Sequence, residues 1–167
     1  VGRAGTEYVV AIEISTELAS VKRARRTTRT DGETATSEDE VFVLQFRIWL
    51  KDVSPMVWRR VQVPSTTTLH EFHGVLQVAM GWEGIHLYQF IIHTVRYGSW
   101  ETGARSPAVT LGDLKLRKGS RFLYEYDLNV PWEHEIRLEE RRPVKPGTCY
   151  PACTGGDGNG TVKLTDG

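Results

Sequence analysis

Cysteine is scarce in this sequence: Cys149 and Cys153 are the only two in 167 residues. Two thiols cannot build the disulfide framework on which small secreted domains rely, so a reducing, cytoplasmic setting is expected. Long apolar runs are missing as well. None approaches the ~20 residues needed to cross a bilayer, so no membrane association is expected. No basic segment leading into an apolar one is visible from Val1, and a secretory signal is not expected. There is no surplus of charge either, since 21 Lys and Arg balance 21 Asp and Glu. A chain without a net field attracts polyanions only through local clusters.

What is present suits one compact domain with an appendage. Residues 1–40 form that appendage. Residues 7–15 have strand character, and residues 16–29 have the pattern of a short helix bearing Lys22, Arg23, Arg25 and Arg26. Residues 31–40 are acidic and nearly free of apolar side chains, which reads as a linker. The basic cluster is a candidate for phosphate contact. Its alternative is a solvated arm screened by the acidic stretch.

The domain proper is expected over residues 41–160, with 161–167 as a tail. Phe42, Leu44, Phe46, Ile48 and Leu50 alternate with Val43, Gln45, Arg47 and Trp49, the pattern of a half-buried strand. A turn through Asp52, Ser54 and Pro55 joins it to a second strand over residues 57–63, completing a hairpin. Thr68 and Glu71 have capping-box spacing ahead of Leu69, Phe72, Leu76, Ala79 and Met80, which share one helical face. Gly81 is placed to end that helix, while His70, His73 and Gln77 fall on the opposite, surface side. Residues 86–95 read as one strand and residues 110–114 as a single helical turn.

Residues 122–139 hold the densest aromatic, acidic and imidazole cluster and read as two strands on a short turn. One face of the first strand carries Phe122, Tyr124, Tyr126 and Leu128, and one face of the second Trp132, His134, Ile136 and Leu138. Beyond Glu140 the chain is rich in Pro and Gly and reads as loop. The order of elements predicts an α+β fold: a mixed or antiparallel sheet of about five to six strands, β-grasp-like, with one main helix packed on a face.

Three groups of residues carry candidate chemistry. His86, Asp127 and His134, if they converge, supply ligands for a divalent metal or a general base with its orienting acid. The alternative for His134 is a hydrogen-bonded core residue. Cys149 and Cys153 provide two thiolates, which with His134 would form a mixed metal site; otherwise they are reduced thiols in a packed loop. No cofactor is required by any motif. Trp58, Arg59 and Arg60 set arginine beside an aromatic ring, a combination that engages phosphates and stacks on bases. Strand alternation sends Arg59 and Arg60 to opposite faces, so the alternative is an arginine lying along Trp58 and paired with Glu133 or Asp127.

Several spaced segments share a pattern: Pro55-Met56-Val57-Trp58-Arg59-Arg60-Val61, Ala79-Met80-Gly81-Trp82, His86-Leu87-Tyr88-Gln89-Phe90, Tyr124-Glu125-Tyr126-Asp127, Trp132-Glu133-His134-Glu135-Ile136, and Tyr150-Pro151-Ala152-Cys153 running into Gly155-Gly156. In this order they resemble the plasmid pRiA4b ORF-3-like family. The resemblance implies an α+β domain associated with plasmids, transposons and other mobile elements, without a settled activity. Asn129 and Val130 stand where that family usually has Gly-Asp. The leading functional expectation is a non-enzymatic binding module that contacts nucleic acid or a partner protein. The alternative is a metal-dependent hydrolase built on His86, Asp127 and His134.

Overall fold

The computed structural model describes residues 10–11 and 40–158. The basic arm with Lys22, Arg23, Arg25 and Arg26, the acidic linker up to residue 39 and the tail from residue 159 lie outside the described residues. The strands are β1 (Val10–Ala11), β2 (Phe42–Leu50), β3 (Trp58–Pro64), β4 (Tyr88–Ile92), β5 (Val95–Gly98), β6 (Arg121–Tyr126), β7 (Trp132–Pro143) and β8 (Ala152–Asp157). They form one sheet in the order β1-β8-β3-β2-β7-β6-β4-β5, and every ladder between them is antiparallel. One α-helix, α1 (Leu69–Met80), packs on one face. No helix among the described residues is long and apolar enough to cross a membrane.

Period-two alternation divides each central strand between two faces. Toward α1 point Leu44, Phe46 and Ile48 of β2, Val61 and Val63 of β3, Phe122, Tyr124 and Tyr126 of β6, and Ile136 and Leu138 of β7. They meet Leu69, Phe72, Val75 and Leu76 of the helix, forming the main core. The helix begins as its sequence dictates: the Thr68 hydroxyl accepts from the Glu71 amide at 3.1 Å, and the Glu71 carboxylate accepts from the Thr68 amide at 2.8 Å. It ends at Gly81, whose φ of 75° is left-handed.

Four expectations need correction. The sheet is larger than five to six strands, because the Gly-rich segment expected to be loop forms β8 between β3 and β1. The glycines serve close approach there: a Cβ on Gly156 would lie 2.7 Å from Arg59 Cδ and 2.9 Å from the Trp58 carbonyl. Second, residues 86–95 are not one strand but part of a β4–β5 hairpin, reversed at His93 and Thr94 with φ of 46° and 69°. Third, every strand ladder among the described residues is antiparallel, which does not confirm the β-grasp-like arrangement. Fourth, His73 and Gln77 are buried, and only His70 stays at the surface.

Candidate functional site

Tyr124 on β6 explains the buried polar side of α1. Its hydroxyl lies 2.8 Å from Gln77 Nε2, which donates to it, and 2.7 Å from His73 Nδ1. The second contact pairs the hydroxyl with the imidazole, the direction of the bond following the His73 tautomer. The His73 ring stacks on Tyr88 at 3.7 Å between centroids. Burial, reinforced by the neighbouring His70, lowers the His73 pKa to about 4.

His134 on β7 lies on the same buried face and is 1% exposed. Its Nδ1 donates to the Trp132 carbonyl at 3.0 Å, and its Nε2 has no hydrogen-bond partner. Burial holds its pKa at about 4, with the Trp132 carbonyl opposing the shift. His86 and Asp127 do approach each other, with 3.9 Å between Nε2 and Oδ2, at an exposed rim. His134 does not join them. A chain of rings separates it from His86: Trp82 is 5.2 Å from His134, Tyr126 is 4.7 Å from Trp82, and His86 is 5.6 Å from Tyr126.

Cys149 is exposed, and Cys153 is partly buried against the core. Among the described residues, no group of three or more His, Cys, Asp or Glu is arranged to hold a metal ion. The three residues proposed for acid–base or metal chemistry therefore make one surface His–Asp pair and one core imidazole.

The Trp58, Arg59, Arg60 trio is divided by its strand. Arg59 faces α1 and donates to the carbonyls of Ala79 at 2.8 Å, Trp58 at 2.7 Å, Asp157 at 2.9 Å and Gly158 at 3.0 Å. It ties the end of the helix to β8 and is consumed structurally. Arg60 turns to the helix-free face, where its Nε and Nη2 reach Glu139 at 2.6 and 3.0 Å. That pairing, with Gln45 also donating, holds the Glu139 carboxyl below the usual carboxylate range. Glu139, not Glu133 or Asp127, is the partner because β7 carries a bulge: Phe46 faces Leu138 and Gln45 faces Glu140, which leaves Glu139 as the extra residue.

The register exposes a feature that sequence reading missed. On the helix-free face Arg60 lies opposite Arg47, Arg47 opposite Arg137, and Arg137 opposite Arg121. Four arginines on four adjacent strands thus form one row across the sheet. Beside it Trp58 lies opposite Trp49, and the Arg47 guanidinium sits 4.6 Å above the Trp58 ring. Like charges directly opposite one another destabilise a sheet, by roughly 0.2–1 kcal/mol per pair. Glu139 neutralises Arg60 at one end, and Glu135 neutralises Arg121 at 3.0 Å at the other. Among the described residues, the central pair Arg47 and Arg137 has no carboxylate in ion-pair contact. They line a groove of about 730 Å³ whose wall includes Trp49, Met56 and Lys118. Alternation in residues 42–50 already puts Arg47 and Trp49 on the face away from the core. What it lacks is the pairing of β2 with a strand some ninety residues later.

Comparison with known proteins agrees with the shared segments. The chain is 38% identical over 109 residues to the uncharacterized protein y4hQ of Sinorhizobium fredii, an alignment covering 61% of this chain and 56% of that protein. The chain thus spans little more than half the length of that relative. A crystal structure of a protein of unknown function, MM3350 from Methanosarcina mazei Go1, superimposes with a TM-score of 0.65 at 31% identity, covering 70% of each chain. Residues 42–163 match the family described as plasmid pRiA4b ORF-3-like protein, and on that match, which takes in β2 to β8, the helix and the arginine row, the chain belongs to this family.

Proposed function

We propose that this domain is a non-enzymatic binding module that takes nucleic acid on the helix-free face of its sheet, with Arg47 and Arg137 as the principal phosphate contacts. The observation that carries this reading is the cross-strand arginine row, whose two central members have no carboxylate in ion-pair contact among the described residues and line a groove that also presents Trp49, with Glu139 and Glu140 at its side. Arginine offers a planar fork of donors that matches phosphate oxygens, and an adjacent indole provides a face for a base. In this proposal Trp58, Arg59 and Arg60 have different parts. Arg60 and Trp58 buttress the row, while Arg59 holds the fold together. The hydrolase alternative loses its support, because His134 is buried away from the His86–Asp127 pair.

The test is fluorescence anisotropy with a labelled oligonucleotide at increasing salt. Affinity is expected to fall as salt rises, as counterion release requires. The double substitution Arg47→Glu with Arg137→Glu is expected to weaken binding at least about tenfold at low salt, each lost charge-assisted contact being worth ~1.5 kcal/mol or more. Absence of binding by the wild-type chain at low salt would overturn the proposal.

A further inference from the structure

We infer that the bound nucleic acid is single-stranded and runs off the sheet face, past Lys118, into a second basic cleft. This rests on the proposed function and adds to it the form of the ligand and its path. The second cleft, of about 820 Å³, opens between the start of β2, the turn after β3 and the loop before β6, and Lys118 lines both it and the groove on the sheet face. Its cations are Lys115, Arg117, Lys118 and Arg141, and its acids are Glu40 and Asp113. Asp113 is already engaged, accepting from the hydroxyl and amide of Thr110 at 2.7 and 3.3 Å. The cleft also has its own ring: the Arg141 guanidinium lies 3.8 Å over Phe42.

Each of the two hollows falls within the ~300–1,000 Å³ of sites that hold one small molecule. With Lys118 lining both, they would give a strand a bent path with cations in each part, Glu139 and Glu140 beside those of the first, and an aromatic in each, Trp49 in one and Phe42 in the other. A single strand follows such a path, because its backbone bends and its bases are free to meet a ring face. A duplex does not. A duplex, with a persistence length of about 150 base pairs, is too stiff to turn between hollows of this size, and the helix-free face has no protruding helix or two-stranded ribbon to enter its grooves among the described residues.

The experiment uses the full chain with labelled oligothymidylates of about 5 and about 20 nucleotides, and a duplex of the longer length. Two variants accompany it: Arg47→Gln with Arg137→Gln on the sheet face, and Lys115→Gln with Arg117→Gln and Arg141→Gln in the cleft. All but Arg47 are exposed, and circular dichroism checks that both variants fold. The long single strand is expected to bind at least about tenfold more tightly than the short one and than the duplex, since only it spans both hollows. The cleft variant should bring the long strand down to the affinity of the short one and flatten its log–log salt slope by about 2, as loss of three single-strand phosphate contacts requires. A duplex bound as tightly as the long single strand, or a cleft variant with unchanged affinity, overturns the inference and leaves the sheet-face reading standing. Unchanged binding in the sheet-face variant overturns that reading instead, and the path with it.

Discussion

His73 and His134 show how a residue with an ordinary catalytic reputation becomes an architectural one. Both imidazoles are buried and neutral, with pKa values near 4 against 6.5 in a free side chain. A folded-state pKa below the unfolded one means that the unfolded chain takes up protons the native state refuses. Stability is therefore undiminished above about pH 6.5 and declines as pH falls from there toward 4. At about pH 5 each histidine is expected to cost about 2 kcal/mol relative to neutral pH. Urea denaturation at the two pH values checks this. His73→Gln, whose amide can accept from or donate to the same Tyr124 hydroxyl, should remove about half of the loss; an unchanged pH response would show that His73 titrates alike in the folded and the unfolded chain. Arg59 follows the same lesson. Its charge and its neighbour Trp58 suggest a binding residue, but four carbonyl acceptors claim its guanidinium. Local sequence shows which groups are polar, not which partner the fold will bring to them.

The elements were legible where a local rule sets them. The β2–β3 hairpin, the Thr68–Glu71 capping box, the Gly81 terminus and the two strands around Tyr124 and His134 all follow from alternation or capping chemistry. Elements that depend on distant partners were not legible. β8 reads as loop because Gly155 and Gly156 have low strand propensity, and only the Arg59 side chain and Trp58 carbonyl against Gly156 explain why glycine is needed there. The β4–β5 turn escaped because His93 and Thr94 replace the Asn-Gly that usually announces two positive φ values. The bulge that gives Glu139 to Arg60 has no sequence signal at all. Gly98 offers a sharp test of the β4–β5 pairing: a Cβ there would lie 2.3 Å from the Tyr88 carbonyl and 2.8 Å from Gln89 Cα. Backbone on both sides leaves nothing flexible to yield. Gly98→Ala is expected to destabilise the domain by about 1–3 kcal/mol, read from the denaturation midpoint. A midpoint equal to wild type would mean that β5 detaches without consequence for the rest.

At the scale of the molecule, the sheet is assembled from both ends of the described chain, with β2 and β7 side by side at its centre. The four arginines come from β3, β2, β7 and β6, at positions 60, 47, 137 and 121, and meet only when those strands have paired. The unfolded chain has the same residues but not the same concentration of positive charge at one place. A ligand that recognises the row must therefore bind the native state far better than the unfolded one. At a hundredfold excess over its dissociation constant it is expected to add about 2.7 kcal/mol to stability, a rise of roughly 5–20 °C in the melting temperature of a domain of this size class. Differential scanning fluorimetry with the long oligothymidylate measures it, and the Arg47→Gln with Arg137→Gln variant should show little or none of the rise. Mutual repulsion among the guanidiniums acts in the opposite sense on the free protein, and bound phosphates relieve it. On the proposed reading the row makes occupancy and folding parts of one equilibrium: the empty domain is its less stable form, and the nucleic acid supplies the negative charge that Glu139 and Glu135, engaged at the two ends of the row, do not bring into contact with its centre.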